Sequence, residues 1–263
     1  MNWRRPAYGA LLAAAVALTA SSAGAESAMT TEYDVRYGPL TVLSLRATTE
    51  SADSRYRTTT EAQTVGMVAM IFPWHASATT EGQLEASGFR PLTHRSSGEY
   101  RGQRRSVVIE YGVGGAVVAA VEPPAADDYR EAVPVALQQE TVDPLTATLS
   151  ALASQCRGTI PVFDGRRRYD MALTDLGEAD VPRSRGAAYA GPARHCRSEM
   201  RPIAGFWQAE PRQDERPARL DSWVASPRPD LPPIPVYLEL SNHRGTLSIL
   251  LTGVGGAPAG STR

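Results

Sequence analysis

The chain has 263 residues, of which 42% are hydrophobic and 21% charged, and its formal net charge is −1. This composition is typical of a globular protein with one large domain or two small ones. All 27 basic residues are Arg. The lack of Lys excludes P-loop, Schiff-base and protein-kinase chemistry, each of which needs a Lys amine. A near-neutral charge also argues against nucleic-acid binding, which needs a basic surface.

The first 25 residues have the pattern of a secretory signal peptide. Two arginines precede the apolar run Ala7–Ala20, and Ala23–Ala25 supplies the small residues of a cleavage site. A retained membrane anchor is the alternative, but the run is shorter than the roughly 20 residues that span a bilayer. No Cys lies near the cleavage site for lipid attachment. We therefore predict a mature chain that starts at Glu26 and is exported to the periplasm as a soluble protein, not a lipoprotein.

Most of the mature chain alternates apolar and polar residues with period two, which predicts β-strands. The segments Val107–Tyr111 and Leu247–Leu251 are clear examples. The pair Asp164–Gly165 predicts a tight hairpin turn. One apolar and one polar face per strand is typical of an antiparallel sheet with one face in water. The sequence thus predicts a mainly β fold.

Two helices are predicted between the strands. The first, Val65–Phe72, is short, almost wholly apolar and followed by Pro73. The second begins with Asp143 as N-cap and Pro144 at the first helical position. Its apolar positions form a single stripe that we expect to be buried: Leu145, Leu149, Leu152 and Cys156.

The strand pattern resumes after every irregular stretch, so residues 26–253 are predicted to form a single domain. The irregular stretches include Glu178–Ala188 and the Pro/Arg-rich loop Gln208–Arg219. The Gly-rich residues 254–263 are predicted to be a flexible tail.

The chain has 2 Cys, and in an oxidising compartment they suggest one disulfide between Cys156 and Cys196. Free thiols, or a metal site that uses His195 and Cys196, are the alternatives. Joint metal ligation is awkward because adjacent side chains of a strand point to opposite faces.

Motifs that carry catalysis are absent from the sequence. There is no G-x-S-x-G nucleophile motif, and the four His residues lack metal-ligand spacing. The run Arg166–Arg168 is either an anion site or a charged strand face. A pair of carboxylates that meet only in the fold would need no local motif. We predict no catalytic residue, no metal and no cofactor, and keep a hydrolase with a non-local site as a third hypothesis.

An apolar cluster around the first helix has two interpretations. It is either a helix that plugs the concave side of a sheet or the lining of a groove for a hydrophobic ligand, because Met-rich surfaces adapt to varied ligands. The second interpretation places an aromatic pair at the groove mouth. The candidate lining residues are Met67, Met70, Phe72, Trp74, Phe206 and Trp207.

Several segments in this order resemble the domain-of-unknown-function 3108 (DUF3108) family of exported proteobacterial envelope proteins. They are Tyr33–Leu40, Gly66–Trp74, Asp143–Leu145, Pro161–Tyr169, and Cys196 followed by Arg201–Phe206. The resemblance covers about residues 32–252. It implies a curved antiparallel sheet, an open half-barrel that wraps one or two helices, similar to the periplasmic lipoprotein carrier LolA and its acceptor LolB. The family has no established activity, so the resemblance implies no catalytic residues.

These observations predict a periplasmic, non-enzymatic binder or carrier of a lipid or other hydrophobic group. The alternative is a structural or interaction protein for envelope integrity, which would contact its partner through the Pro/Arg-rich loops. No nucleic-acid partner and no membrane span after signal cleavage are expected.

Overall fold

The computed structural model of the protein describes residues 27–100, 102–124, 131–206, 219–242 and 245–256. The predicted signal peptide and most of the predicted tail lie outside these residues, as do Trp207, His243 and nearly all of the loop Gln208–Arg219. Within the described residues the strands are β1 (Ser27–Tyr37), β2 (Leu40–Ala52), β3 (Arg55–Thr64), β4 (His75–Glu85), β5 (Gly88–Tyr100), β6 (Gln103–Tyr111), β7 (Val117–Glu122), β8 (Gly158–Phe163), β9 (Arg168–Asp180), β10 (Pro192–Ala204), β11 (Arg219–Ala225), β12 (Ile234–Asn242) and β13 (Gly245–Gly255). The helices are α1 (Gly66–Ile71), α2 (Val135–Gln138) and α3 (Pro144–Ala153), with a 3-10 turn at Val113–Gly115.

All these strands form one antiparallel sheet with the order β7-β6-β5-β4-β3-β2-β1-β13-β12-β11-β10-β9-β8. Of the described strands, the first and the last, β1 and β13, pair with each other in the middle of the sheet. The strands β7 and β8 end the sheet and do not pair with each other. The prediction of a mainly β, open antiparallel sheet is therefore confirmed.

Contacts with α3 define an inner and an outer face of the sheet. The hydroxyl of Tyr56 on β3 lies 2.8 Å from that of Thr146 on α3, and Cys196 on β10 is disulfide-bonded to Cys156 after α3. We call the face that carries Tyr56 and Cys196 the inner face. Residues paired across an antiparallel ladder share a face, and neighbours along a strand point to opposite faces. The strand pairings therefore assign each of the remaining strand residues to the inner or the outer face.

Helix α3 begins as predicted. The side chain of Asp143 accepts hydrogen bonds from the backbone N–H groups of Leu145 and Thr146, at 2.9 and 3.1 Å. The expected burial of its apolar stripe is confirmed only for Cys156, which is 4% exposed. The buried residues within α3 are instead Thr146 and Ala147. The polar anchor at the N-terminus turns Thr146 towards the sheet and leaves Leu145, Leu149 and Leu152 partly exposed.

Helix α1 does not plug the sheet, since none of its residues is buried. The helix inside the sheet is α3, which contacts β4, β5 and β8. Helix α1 was therefore predicted correctly, and of the two interpretations of the apolar cluster the plug is wrong.

The gap between β7 and β8 is bridged by residues 133–143. The side-chain amide of Gln139 accepts from the N–H of Val117 on β7 at 3.1 Å and donates to its carbonyl at 3.5 Å. On the other side, Val142 forms a parallel bridge with Val162 of β8. From the β8–β9 turn, Arg166 donates to two carbonyl oxygens at the end of β7, at 2.8 and 3.0 Å. Residues 133–143 and Arg166 thus span the gap with hydrogen bonds and one bridge, and the sheet itself stays open.

The apolar core lies on both faces. Beside the gap, Phe163 packs with the buried residues Val107, Ile109, Val117 and Val133. The larger core surrounds Trp223, Tyr237 and Leu250 on the outer face, which residues 181–191 cover. That segment is tied to the sheet by the N–H of Ala188, which donates to the carbonyl of Leu251 at 2.7 Å.

Strand bounds differ from the sequence prediction at two places. β9 continues to Asp180, where a loop was predicted from Glu178, and β13 continues to Gly255, two residues past the predicted domain end. In the part of the chain that the structure describes, no helix is long and apolar enough to cross a membrane.

Candidate hydrophobic-ligand site

An apolar row crosses the inner face where β1 ends and β2 begins. Its members are paired in sequence across five strands: Leu220, Leu240, Leu247, Tyr37 and Leu40. The row is on the inner face because Leu220 pairs with Ser198, two residues after Cys196 on β10. Tyr37 and Leu40 are 53% and 40% exposed, and the three other members are partly exposed.

Helix α1 lies at the same end of the sheet. It contacts β2 and β3, and the N–H of Val65 just before it donates to the carbonyl of Val42 on β2 at 3.2 Å. Its apolar side chains face solvent: Met67 is 62% exposed, Met70 78%, Ile71 86% and the adjacent Phe72 48%. We call α1, Phe72 and the apolar row together the apolar end.

The chain around α1 carries no charge from Ala62 to Trp74. The hydroxyl of Thr64 joins the two ends of this segment. Thr64 Oγ1 accepts from the N–H of Trp74 at 2.9 Å and donates to the carbonyl of Phe72 at 3.0 Å. A short helix in a fixed position thus presents apolar side chains with no charged neighbour in the sequence.

Solvent reaches the inner face next to the apolar row. Met171 and Met200 pair across β9 and β10 and are partly exposed, as is Leu43 on β2. At this end of β3 and β4 the inner residues Ala62 and Ala76 are small and pair with each other. These apolar side chains of the inner face therefore keep contact with solvent.

The inner face under β4 and β5 is instead filled by a buried polar network around Asp143. The hydroxyl of Thr80 donates to Asp143 Oδ1 at 2.7 Å and lies 2.8 Å from His94 Nδ1. The hydroxyl of Thr146 donates to Asp143 Oδ2 at 2.6 Å and accepts a hydrogen bond from the hydroxyl of Tyr56 at 2.8 Å. Burial alone would raise the pKa of Asp143, but hydrogen bonds from His94, Thr146 and Thr80 and the charge of His94 hold that pKa below its ordinary value.

The network is closed to substrate. Asp143, Thr80 and Thr146 are 0% exposed, and His94 and Tyr56 are 3% exposed. The sequence predicted Asp143 only as a helix N-cap, and it gave no role to His94. No local signal joins Thr80 to Asp143, since 63 positions separate them in the chain.

The tyrosines around this network are held neutral. Burial, with the negative charge of Asp143 and the hydroxyl of Tyr56 nearby, raises the pKa of Tyr111. Burial, followed by the charge of Asp164, raises the pKa of Tyr169 to about 12. The hydroxyl of Tyr111 is buried and has no hydrogen-bond partner among the described residues.

The predicted disulfide between Cys156 and Cys196 is present, and these residues are 4% and 1% exposed. It ties the segment after α3 to β10. Because Cys196 is bonded to Cys156, it cannot form a metal site with His195. The ring of His195 lies on the outer face, stacked on Trp223 with centroids 4.3 Å apart.

The arginine run after the hairpin turn has local partners. Arg167 pairs with Asp164 at 2.8 Å and Arg168 with Asp170 at 2.8 Å, while Arg166 caps the end of β7. Arg167 and Arg168 thus form ion pairs within the β8–β9 hairpin. These local pairs favour the interpretation of the run as a charged strand face over an anion site. No group of three or more potential metal ligands comes together within the described ranges.

The structure brings four of the predicted lining residues to one place. Met67, Met70 and Phe72 lie at the apolar end with large exposed fractions, and Trp74 follows with partial exposure. Phe206 comes after β10 and is partly exposed. Their contact with a ligand stays a prediction. Sequence reasoning missed the apolar row, whose members come from five strands.

Comparison with known proteins agrees with this architecture. A search of curated proteins finds no significant match. A solved structure titled as a beta-barrel-like protein of domain of unknown function DUF1849 from Brucella abortus is similar, with a TM-score of 0.50 and 11% identity over 88% of this chain and 98% of that one. At this identity the likeness concerns the fold alone. A family model described as "Protein of unknown function (DUF3108)" matches residues 32–251, and the chain therefore belongs to the DUF3108 family.

Proposed function

We propose that this protein is an exported, non-enzymatic protein that binds or carries a lipid or other hydrophobic group at the apolar end. The observation that carries the proposal is that two sets of exposed apolar side chains, those of α1 and those of the row at Leu247 and Tyr37, lie at the same end of the sheet, where α1 contacts β2. Contiguous exposed apolar surface on a folded protein commonly marks a binding site.

Covering this surface is energetically favourable. Full burial of an exposed Met, Ile or Phe side chain contributes about 1.5–3 kcal/mol, and Met70 and Ile71 are largely exposed before binding. Part of this gain is offset by the loss of rotational and translational freedom on association. Met side chains fit apolar surfaces of varied shape, which suits acyl chains better than a ligand of one fixed outline.

Two observations support export to an oxidising compartment. The buried disulfide Cys156–Cys196 is of a kind that is rare in reducing compartments. The sequence of the first 25 residues also follows the signal-peptide pattern. These two features together are the reason why we propose export to the periplasm.

The non-enzymatic part of the proposal is supported by the burial of one acid–base pair, Asp143 and His94. Asp143 Oδ1 lies 3.2 Å from Nδ1 of His94, but both side chains are sealed from solvent and serve the N-terminus of α3. A general acid or base must reach the reacting group within hydrogen-bond distance, and no substrate can approach this pair in the folded protein.

The direct test is native mass spectrometry of protein secreted with its own leader, followed by lipid extraction. We expect a co-purifying mass that organic solvent removes. Delipidated protein is then titrated with 1-N-phenylnaphthylamine, a neutral apolar dye. Its fluorescence should rise on binding, and an envelope lipid should displace it.

Variants locate the site. Met67→Ser combined with Met70→Ser should weaken dye binding several-fold without changing the thermal midpoint. Leu247→Ser tests the inner row, with circular dichroism to confirm that it folds. The matched control is Val113→Ser combined with Val118→Ser, two side chains that are 96% and 68% exposed and lie outside the apolar end.

The outcomes separate the hypotheses. Loss of dye binding in the α1 variant with retention in the control supports the proposal. Protein without bound lipid that also fails to bind the dye would contradict it and favour the interaction-protein alternative. Equal dye binding by the parent and by both the α1 and Leu247 variants would show that the hydrophobic ligand binds elsewhere.

A further inference from the structure

The outer face of the sheet carries two grooves that share one residue. The first, of about 760 Å³, crosses β13, β1, β2, β3 and β4, and the second, of about 570 Å³, crosses β3 to β6. Ser77 on β4 lines both. We call the two together the outer trough. At about 4.8 Å between strands, its seven strands span roughly 29 Å.

The strand pairings show that the side chains of the outer trough form a regular grid. One row runs across Asp34, Ser44, Gln63 and His75, and the next across Glu32, Arg46, Glu61 and Ser77. All are on the face opposite Tyr56, so the trough is separate from the inner face and from the apolar row. Hydrogen-bonding side chains therefore line its floor at the spacing of neighbouring strands.

Most charges in the outer trough are already neutralised. Arg46 pairs with Glu32 at 2.6 Å, and Arg57 pairs with Glu81 at 2.6 Å. Asp34 pairs at 3.0 Å with Arg36, which lies beside the trough. Two charged groups are left, one of each sign, on strands two positions apart. They are Glu61 on β3 and Arg95 on β5, both exposed and without a hydrogen bond or ion pair to any described residue.

The remaining groups are neutral donors and acceptors. Ser44, Gln63 and His75 in the first groove, and Thr93 and Ser106 in the second, make no side-chain hydrogen bond within the described part of the chain. Hydroxyl and amide groups both donate and accept. A ligand that pairs with these groups must itself donate and accept hydrogen bonds along its length.

This chemistry selects one class of ligand. A polyanion would need a surplus of basic residues, and a lipid would need apolar lining. The outer trough has no surplus of basic residues, and among its lining residues only Val108 places an apolar side chain on the outer face. A chain of neutral sugars carries hydroxyls that donate and accept at regular intervals and no net charge. We infer that the outer trough binds a neutral glycan chain of several sugar units. This inference does not depend on the function proposed for the apolar end.

The test uses the full mature protein with chitohexaose, cellohexaose and maltohexaose as neutral probes and heparin as a polyanion, by isothermal titration calorimetry. Glu61→Ala combined with Gln63→Ala, and separately Arg95→Ala, should weaken binding of the neutral probe at least ten-fold. The matched controls are Glu178→Ala and Arg201→Ala, which alter exposed residues outside the trough. All these positions are exposed, so thermal midpoints should be unchanged.

Salt dependence identifies the class of ligand. Affinity for a neutral chain should be the same at 50 mM and 500 mM NaCl, because no counterions are released. Binding of a neutral probe that is lost in the trough variants and kept in the controls supports the inference. No binding of any neutral probe, binding of heparin alone with a steep salt dependence, or equal affinity of parent and trough variants would overturn it.

Discussion

Asp143 Oδ1 lies 3.2 Å from Nδ1 of His94, and this buried contact joins the N-terminus of α3 to β5. The hydroxyl of Thr80 on β4 bonds to both side chains. One carboxylate therefore caps a helix and links it to two strands that precede it in the chain. The position of α3 inside the sheet depends on this network at one end and on the disulfide at the other.

Loss of the carboxylate should be costly. Asp143→Ala removes an N-cap worth about 1 kcal/mol and takes away the carboxylate that accepts from the buried hydroxyls of Thr80 and Thr146, at about 1–3 kcal/mol each. We expect the free energy of unfolding in urea to fall by about 3 kcal/mol or more. Asp230→Ala, at an exposed ion pair, should cost less than about 1 kcal/mol. Equal losses in the two variants would contradict the role assigned to the network.

The same carboxylate makes stability depend on pH. Since the folded pKa of Asp143 is lowered, its contribution is complete above the unfolded pKa near 3.9 and is lost as the pH falls through the folded pKa. Asp143→Asn lacks this titration. The difference in unfolding free energy between parent and variant should therefore narrow between about pH 5 and pH 2. A difference that stays constant across this range would contradict the lowered pKa.

The disulfide should stabilise the fold mainly through the unfolded chain. Closing a loop with a sequence separation of 40 is worth about 4 kcal/mol in the chain-entropy model. Cys156→Ser should lower the thermal midpoint by several degrees. The parent in reductant should melt near the variant, and reductant should not shift the variant further. Equal midpoints for oxidised parent and variant would show that the bridge contributes nothing.

Gly165 tests how closely the β8–β9 turn packs on β6. Gly165 and Gly177 have nearly equal φ values of +88° and +87°, but a Cβ at Gly165 would collide with Val107 Cγ1 and lie 3.3 Å from Val121 Cγ1, whereas Gly177 has open space. Both Ala variants carry a similar backbone cost of about 1–2 kcal/mol. Gly165→Ala should lose about 1–3 kcal/mol more from overpacking, as measured by urea unfolding. Similar losses would mean that the turn does not pack against β6.

Exposure of α1 predicts that its apolar residues contribute little to stability. Ile71→Ser, at 86% exposure, should change the free energy of unfolding by no more than about 0.5 kcal/mol. Ile109→Ala, at 0% exposure, should cost about 2–5 kcal/mol. A large loss for Ile71→Ser would show that α1 belongs to the core.

Local patterns predicted what is encoded locally. The N-cap Asp143, Pro144 at the start of α3 and the Asp164–Gly165 turn were all assigned correctly, because capping and turn chemistry involve residues a few positions apart. The antiparallel class followed from alternation along single strands. The sequence left open whether α1 is a buried plug or an exposed lining, because burial depends on which elements meet in space.

The sequence by itself determined the strands, the start of α3, the pairing of the only two Cys residues and the apolar character of α1. Only the tertiary structure decided that α3 rather than α1 fills the sheet, that Asp143 meets His94, and that Leu247 joins Tyr37 in one apolar row. These relationships depend on strand register and on contacts between residues far apart in the chain. Register shifted by one residue would move a strand's side chains to the other face, and no short segment specifies it alone.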